Sequence, residues 1–269
     1  MSVEIRSILR NNVKEKLARN EVVTSMTVRL VRSIEIAQIA RTAGFDTLYV
    51  DVEHNSFSFD ATGQICMAAL AVGITPFVRV PTSRPEHVSR ALDGGALGVI
   101  VPHIRSAEDA RRVVLASRFP PHGERSAAGQ LPHLQYRSFP TAIANQALND
   151  ATMVTVMMET NEALENVEEI AAVEGVDMMM IGSSDLTAEM GIAGQYEHPK
   201  LRDAYVRTIA ACRKHGKHVG VGGLSSRPDL VAEFVRLGAR YVSTGTDLAF
   251  LLGACMQKAK QVNDIQLQA

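Results

Sequence analysis

Eight short apolar, β-rich runs recur along the chain with amphipathic stretches between them, at residues 22–28, 47–52, 74–80, 97–103, 153–159, 178–185, 218–223 and 241–247. A strand apolar at nearly every position is covered on both faces, which is the habit of parallel sheets. Alternation of such strands with helical stretches is the pattern of βα units. Several runs follow an Ala-Gly or Gly-Ala pair ("RTAGFDTLYV", "DGGALGVIV", "RLGARYVST"), as αβ turns with a C-terminal glycine should. The spacing predicts an α/β fold, a closed (β/α)8 TIM barrel forming a single domain over residues 1–269. An open doubly wound sheet is the alternative. It fits less well, because no glycine-rich fingerprint follows the first strand and polar residues end almost every strand. With 269 residues and 46% hydrophobic content, one large core can be buried. The irregular stretch 118–137 is long enough for a lid or a subunit contact. The last helix is expected to take part in oligomer packing.

The charge balance excludes some partners. Lys and Arg total 28 against 29 for Asp and Glu, a formal net charge of −1, which offers no electrostatic case for nucleic acid or an anionic membrane. The amino-terminal twenty residues carry charges throughout and read as neither signal peptide nor anchor, and no later run is long and apolar enough to span a bilayer. A cytoplasmic protein with a small-molecule partner is expected. Cys66, Cys212 and Cys255 form no CxxC pair and read as core thiols.

In a barrel of this kind the C-terminal strand ends meet around one mouth. That places Asp51, Glu53 and His54 after the second strand, Arg79 in the third, His103 after the fourth, Glu159 after the fifth and Asp185 after the sixth. Glu159 and Asp185, from adjacent strands, would sit side by side. Like charges that close repel unless a cation lies between them, and hard divalent ions prefer oxygen ligands. Taken singly, Glu159 also reads as a first-turn helix charge, with Thr160 or Asn161 as the cap, and Asp185 as an N-cap to "LTAEM". Arg79 interrupts an apolar strand, so its guanidinium needs a partner: a substrate oxygen in the mouth, or a structural pair with Asp51 or Glu53. His54 suits a general base near neutrality and equally a loop histidine bonded to backbone. His122 and His133 have no spacing that ties them to the mouth.

Taken in order, "DTLYVDVEHNSFSFD", "PFVRVP", "ALDGGALGVIVPHIRSAEDARRVV", "RFPPHGERS", "VMMET", "IGSSDLTAEMG" and "GTDLAFLLGA" give the chain a specific resemblance. Along nearly its full length it resembles the metal-dependent class II pyruvate aldolases. That group includes 4-hydroxy-2-oxoheptanedioate aldolase, 2-keto-3-deoxy-sugar-acid aldolases and macrophomate synthase. The resemblance implies that Glu159 and Asp185 hold a divalent metal (Mg²⁺, Mn²⁺ or Co²⁺) and that Arg79 binds the keto or enolate oxygen. It implies that His54 handles the proton, helped by Asp51 and by Asp93 of a neighbouring subunit. It implies a homo-oligomer, a hexamer built as a trimer of dimers, and a place in aromatic compound catabolism.

Three departures bear on substrate. The family's Gly-Pro-x-Asp is Gly182-Ser183-Ser184-Asp185 here, so the amides expected to hold the substrate carboxylate are differently posed or joined by a hydroxyl. A glutamine two residues before the metal glutamate is Met157, and His103 stands as in macrophomate synthase. The activity implied is reversible cleavage of a 4-hydroxy-2-oxo acid into pyruvate, or a related 2-oxo acid, and an aldehyde, through an enolate stabilised by the metal as Lewis acid. A class I mechanism would need a strand-end lysine, and the eight runs contain none. The alternatives are oxaloacetate decarboxylation or a macrophomate-synthase-like reaction on the same enolate, and a non-catalytic barrel that binds a small acid.

Overall fold

The computed structural model describes residues 3–268. Eight parallel strands close in sequence order: β1 (Val23–Val28), β2 (Thr47–Asp51), β3 (Thr75–Arg79), β4 (Gly98–Val101), β5 (Met153–Met158), β6 (Met178–Gly182), β7 (His218–Gly222) and β8 (Tyr241–Thr246). The expected barrel is confirmed, with all eight runs in place. β4 and β6 are shorter than the runs over 97–103 and 178–185, because the chain leaves the sheet after Val101 and Gly182.

Two-sided burial explains why β2 to β7 are mostly apolar at both parities. Along β6, Met178 and Met180 point into the barrel beside Phe77, Ile100, Met157 and Tyr241, whereas Met179 and Ile181 pack outward under the helices. The period-2 alternation therefore sorts two apolar sets, not an apolar and a polar one. Gly98 leaves room for a large ring, since a Cβ there would lie 2.1 Å from Phe77. Helix Asn12–Ala18 closes the N-terminal end of the barrel with Val13 and Leu17. Asn11 caps that helix and donates its side-chain amide to Leu97 O and Ala151 O.

Two expectations are corrected, and a further residue, Asp93, is placed. The 118–137 segment is no lid. Arg118 reaches Thr152 O and the Asp177 carboxylate, and His133 reaches Ala96 O, all at residues that precede strands, so this segment covers the N-terminal end opposite the mouth. Cys66 and Cys212 are buried, and burial pushes both thiols up to about 12, but Cys255 is exposed on the last helix. Asp93 ends helix Pro85–Asp93 on the side away from its own mouth, and Arg125 donates to it at 2.6 Å.

Helix Asp247–Gln268 carries Leu251, Leu252, Met256, Val262 and Ile265, each more than half exposed (53–66%). Among the described residues no helix is long and apolar enough to cross a membrane.

Candidate active site

The register of β2 and β3 pairs Asp51 with Arg79 as direct neighbours at the strand ends. Asp51 is fully buried, and Arg79 grips it with both edges of the fork: Nε to Oδ1 at 3.0 Å and Nη2 to Oδ2 at 2.7 Å. Burial alone would raise the Asp51 pKa. The Arg79 contacts outweigh it and hold the carboxyl below its ordinary value. Burial likewise opposes the Arg79 charge, and the hydrogen bonds to Asp51 overcome it, so the guanidinium stays cationic.

The pairing continues around the mouth. Arg79 Nη1 lies 3.1 Å from Glu53 Oε2, near enough for an ion pair, although that oxygen has no aligned hydrogen bond. Glu53 Oε1 meets His103 Nε2 at 3.0 Å. The backbone of His103 is left-handed, φ 59°, and its N–H donates to Glu159 Oε2 at 3.0 Å. A line of alternating groups thus joins the end of β2 to the end of β5.

Glu159 follows β5 and is buried, and Thr160 caps the next helix by accepting from Ala163 N–H, so Glu159 is not a first-turn helix charge. Burial raises its pKa. The His103 amide opposes this, while the charges of Glu53 and Asp185 push the same way as burial. Gly182 is needed beside it, because a Cβ there would fall 2.9 Å from Glu159 Oε1. Asp185 lies in the first turn of helix Ser183–Glu189 and is no N-cap. It borders a cavity of about 290 Å³ in the barrel mouth, together with Arg79, His54, Gly182, Ser184, Met157 and Met180. Two carboxylates from adjacent strand ends that repel in this way, offset on Glu159 only by the amide and ring of His103, are the donor chemistry a hard divalent cation suits. Glu159 and Asp185 are the residues that would hold such an ion.

The remaining expected residues divide. The His54 imidazole is half-exposed and borders the cavity, with Nε2 3.5 Å from Glu53 Oε2. From His54, Asp51 accepts only the backbone N–H, at 3.2 Å, and the ring lies against Glu53 instead. Ser184 faces the cavity and shares a hydrogen bond with Tyr196. Ser183 is fully buried with its hydroxyl on Tyr205, which corrects the expectation that this hydroxyl meets substrate. His103 acts through its amide and Glu53, and does not line the cavity. Asp93 is remote from this mouth.

Sequence reasoning missed Arg29, Thr27, Ser243 and Thr246, which line the cavity from β1 and β8. Arg29 directly follows the first run, so the strand-end rule that found Glu159 also points to it. Glu53, expected only as an alternative partner of Arg79, pairs with it and with His103 as well.

A closed barrel with carboxylates, a guanidinium and an imidazole gathered at its C-terminal strand ends is an enzyme. The chain belongs to the HpcH/HpaI aldolase/citrate lyase family, whose model matches residues 30–254, and it is a lyase of the aldolase kind. It is 40% identical to 4-hydroxy-4-methyl-2-oxoglutarate aldolase of Hapsidospora irregularis, over 96% of each chain. It is 34% identical to 4-hydroxy-2-oxo-heptane-1,7-dioate aldolase of Escherichia coli, over 81% of this chain and 82% of that one. The crystal structure of an HpcH/HpaI aldolase from Desulfitobacterium hafniense superposes with a TM-score of 0.87 at 30% identity, covering 93% of this chain and 95% of that one.

Proposed function

We propose that the protein catalyses reversible aldol cleavage of a 4-hydroxy-2-oxo acid to pyruvate, or a close 2-oxo acid, and an aldehyde, with a divalent ion (Mg²⁺, Mn²⁺ or Co²⁺) held by Glu159 and Asp185. The observation that carries this reading is the placement of buried Glu159 after β5 and of Asp185 after β6, at adjacent strand ends of the mouth that Arg79 also lines. When bound, the ion would supply Lewis-acid polarisation of the 2-oxo group.

The chain's own residues account for the rest. His54, exposed at the cavity rim, removes the C4 hydroxyl proton, and the electron pair left on that oxygen becomes the aldehyde carbonyl as the C3–C4 bond breaks. The bond electrons pass to the C2 oxygen, where negative charge develops. Arg79, fixed in place by Asp51 and Glu53, presents its positive charge to that oxygen. The amides and hydroxyl at Gly182-Ser183-Ser184 orient the 1-carboxylate, since the first N–H groups of a helix lack intrahelical acceptors. Protonation at C3 completes the pyruvate. No lysine lines the cavity among the described residues, in keeping with a route without a Schiff base.

A homo-oligomer, a hexamer by resemblance, fits this site. The exposed apolar side chains of helix Asp247–Gln268 need cover, and Asp93 can serve a proton only in a neighbour's mouth. Light scattering that gave a fully active monomer would remove both statements. The cleavage itself is tested with a panel of 4-hydroxy-2-oxo acids. Activity is expected with added metal and none with EDTA, and borohydride with pyruvate should trap no adduct. Oxaloacetate serves as the comparison, because its decarboxylation needs no hydroxyl base. His54→Ala should lose much more on the hydroxy acid than on oxaloacetate, and equal losses would remove His54 as the aldol base.

A further inference from the structure

Arg29 directly follows β1 and lines the mouth cavity. In the closed strand order β1 is four strands from β5 in either direction, so Arg29 stands across the mouth from Glu159. Its Nε is 3.2 Å from Asp51 Oδ2 and its Nη2 donates to His54 O at 2.9 Å, whereas Nη1 has no partner among the described residues. The side chain is 38% exposed.

Asp51 does not depend on this pair. Arg79 already engages both of its oxygens, and Oδ1 also accepts the N–H groups of Glu53 and His54 at 3.2 Å. Arg29 is therefore a surplus cation at the mouth. The hydrogen bond to His54 O and the ion pair with Asp51 hold the guanidinium at the end of β1, and the residue lines the cavity. A planar guanidinium posed this way matches a carboxylate better than a hydroxyl or an apolar group. The β5–β6 side takes the 2-oxo acid end in the aldol reading, so the far end of the substrate extends toward β1.

We infer that Arg29 sets specificity by binding a second carboxylate at the end of the substrate remote from the 2-oxo acid. The carbonyl fragment released would then itself be an acid. The inference rests on the aldol reading for its direction across the mouth, but binding alone can test it. Isothermal titration would compare 2-oxoglutarate with 2-oxopentanoate, which has the same chain length and lacks the second carboxylate, in the presence of Mn²⁺ and in EDTA. Wild type should bind 2-oxoglutarate at least about tenfold more tightly, the scale of one charge-assisted contact. Arg29→Ala should bring the two ligands to within about twofold of each other. Arg29→Lys should keep part of the preference, and Arg29→Gln, which retains donors for Asp51, should lose it if the alanine variant unfolds. The ratio of kcat/KM for 4-hydroxy-2-oxoglutarate over 4-hydroxy-2-oxopentanoate should shrink in step. A wild type without preference, or an Arg29→Gln variant that keeps it, overturns the inference. Preserved binding preference with turnover of neither hydroxy acid would sink the aldol reading and leave the role of Arg29 standing.

Discussion

Neutral His133 should make the fold sensitive to mild acid at the end of the barrel farthest from the chemistry. The side chain is 4% exposed, its Nε2 contacts Ala96 O at 2.9 Å, and its Nδ1 is buried without a partner. Burial lowers its pKa from 6.5 to about 4; the bond to Ala96 O opposes the shift and the charge of Arg125 adds to it. The sign follows directly. Below pH 6.5 the unfolded chain takes up a proton that the native state refuses until about pH 4, so this stability is complete above 6.5 and is lost as pH falls from 6.5 to about 4. At about 1.4 kcal/mol per pKa unit, the full loss is roughly 3 kcal/mol. Urea unfolding at fixed protein concentration, from neutral pH down to about pH 4.5, would measure it against His133→Gln, which keeps a donor for Ala96 O and cannot titrate. The variant should show a flatter stability profile over that window. Equal losses in both proteins would refute the reasoning and move the acid sensitivity to other groups.

Arg79→Lys should lower kcat/KM by about tenfold or more, because one ammonium cannot hold Asp51 at both oxygens and also face substrate. Arg79→Ala should in addition lower stability by about 3 kcal/mol in urea unfolding, since fully buried Asp51 keeps only Arg29 as a charged partner. Gly182→Ala should weaken Mn²⁺ binding in isothermal titration, because its Cβ would sit 2.9 Å from Glu159 Oε1 and displace that carboxylate; unchanged affinity would place the ion elsewhere. Glu159→Gln should unfold at a higher temperature than wild type in EDTA, because the raised native pKa means that the ionised form costs stability at neutral pH. The same variant should lose the rise that Mn²⁺ gives the wild type.

What could be read from the sequence is what the backbone decides. Apolar residues at both parities marked each strand, because each strand is covered by the barrel interior on one side and helices on the other. Once the strands were placed, the end of each one fixed which side chains share the mouth. Asp51 and Arg79 are neighbours because β2 and β3 are in register at those positions. Glu159 and Asp185 were found by the same rule. The side-chain directions were not available from strand placement. Ser183 and Ser184 are adjacent and chemically alike, yet the helix that starts there turns one hydroxyl to Tyr205 in the core and leaves the other at the cavity. The His54 ring faces Glu53 and not Asp51, because the Asp51 oxygens are already occupied by Arg79, Arg29 and two backbone amides.

The same limit explains why Arg29 escaped notice and why it matters. In the sequence, a cation at a strand end reads as a balancing charge for the nearest acid. Only the hydrogen-bond geometry shows that Asp51 is satisfied by Arg79, so Arg29 is a surplus cation lining the cavity. Glu53 presents the converse case. It has one oxygen with Arg79 and one with His103, whose amide in turn holds Glu159. A change at Glu53 should therefore disturb Arg79 and Glu159 together. Glu53→Gln tests this: if Mn²⁺ affinity and kcat fall in one step, the groups from β2 to β5 act as one unit. A fall in only one of them would mean that the His103 bridge carries no coupling.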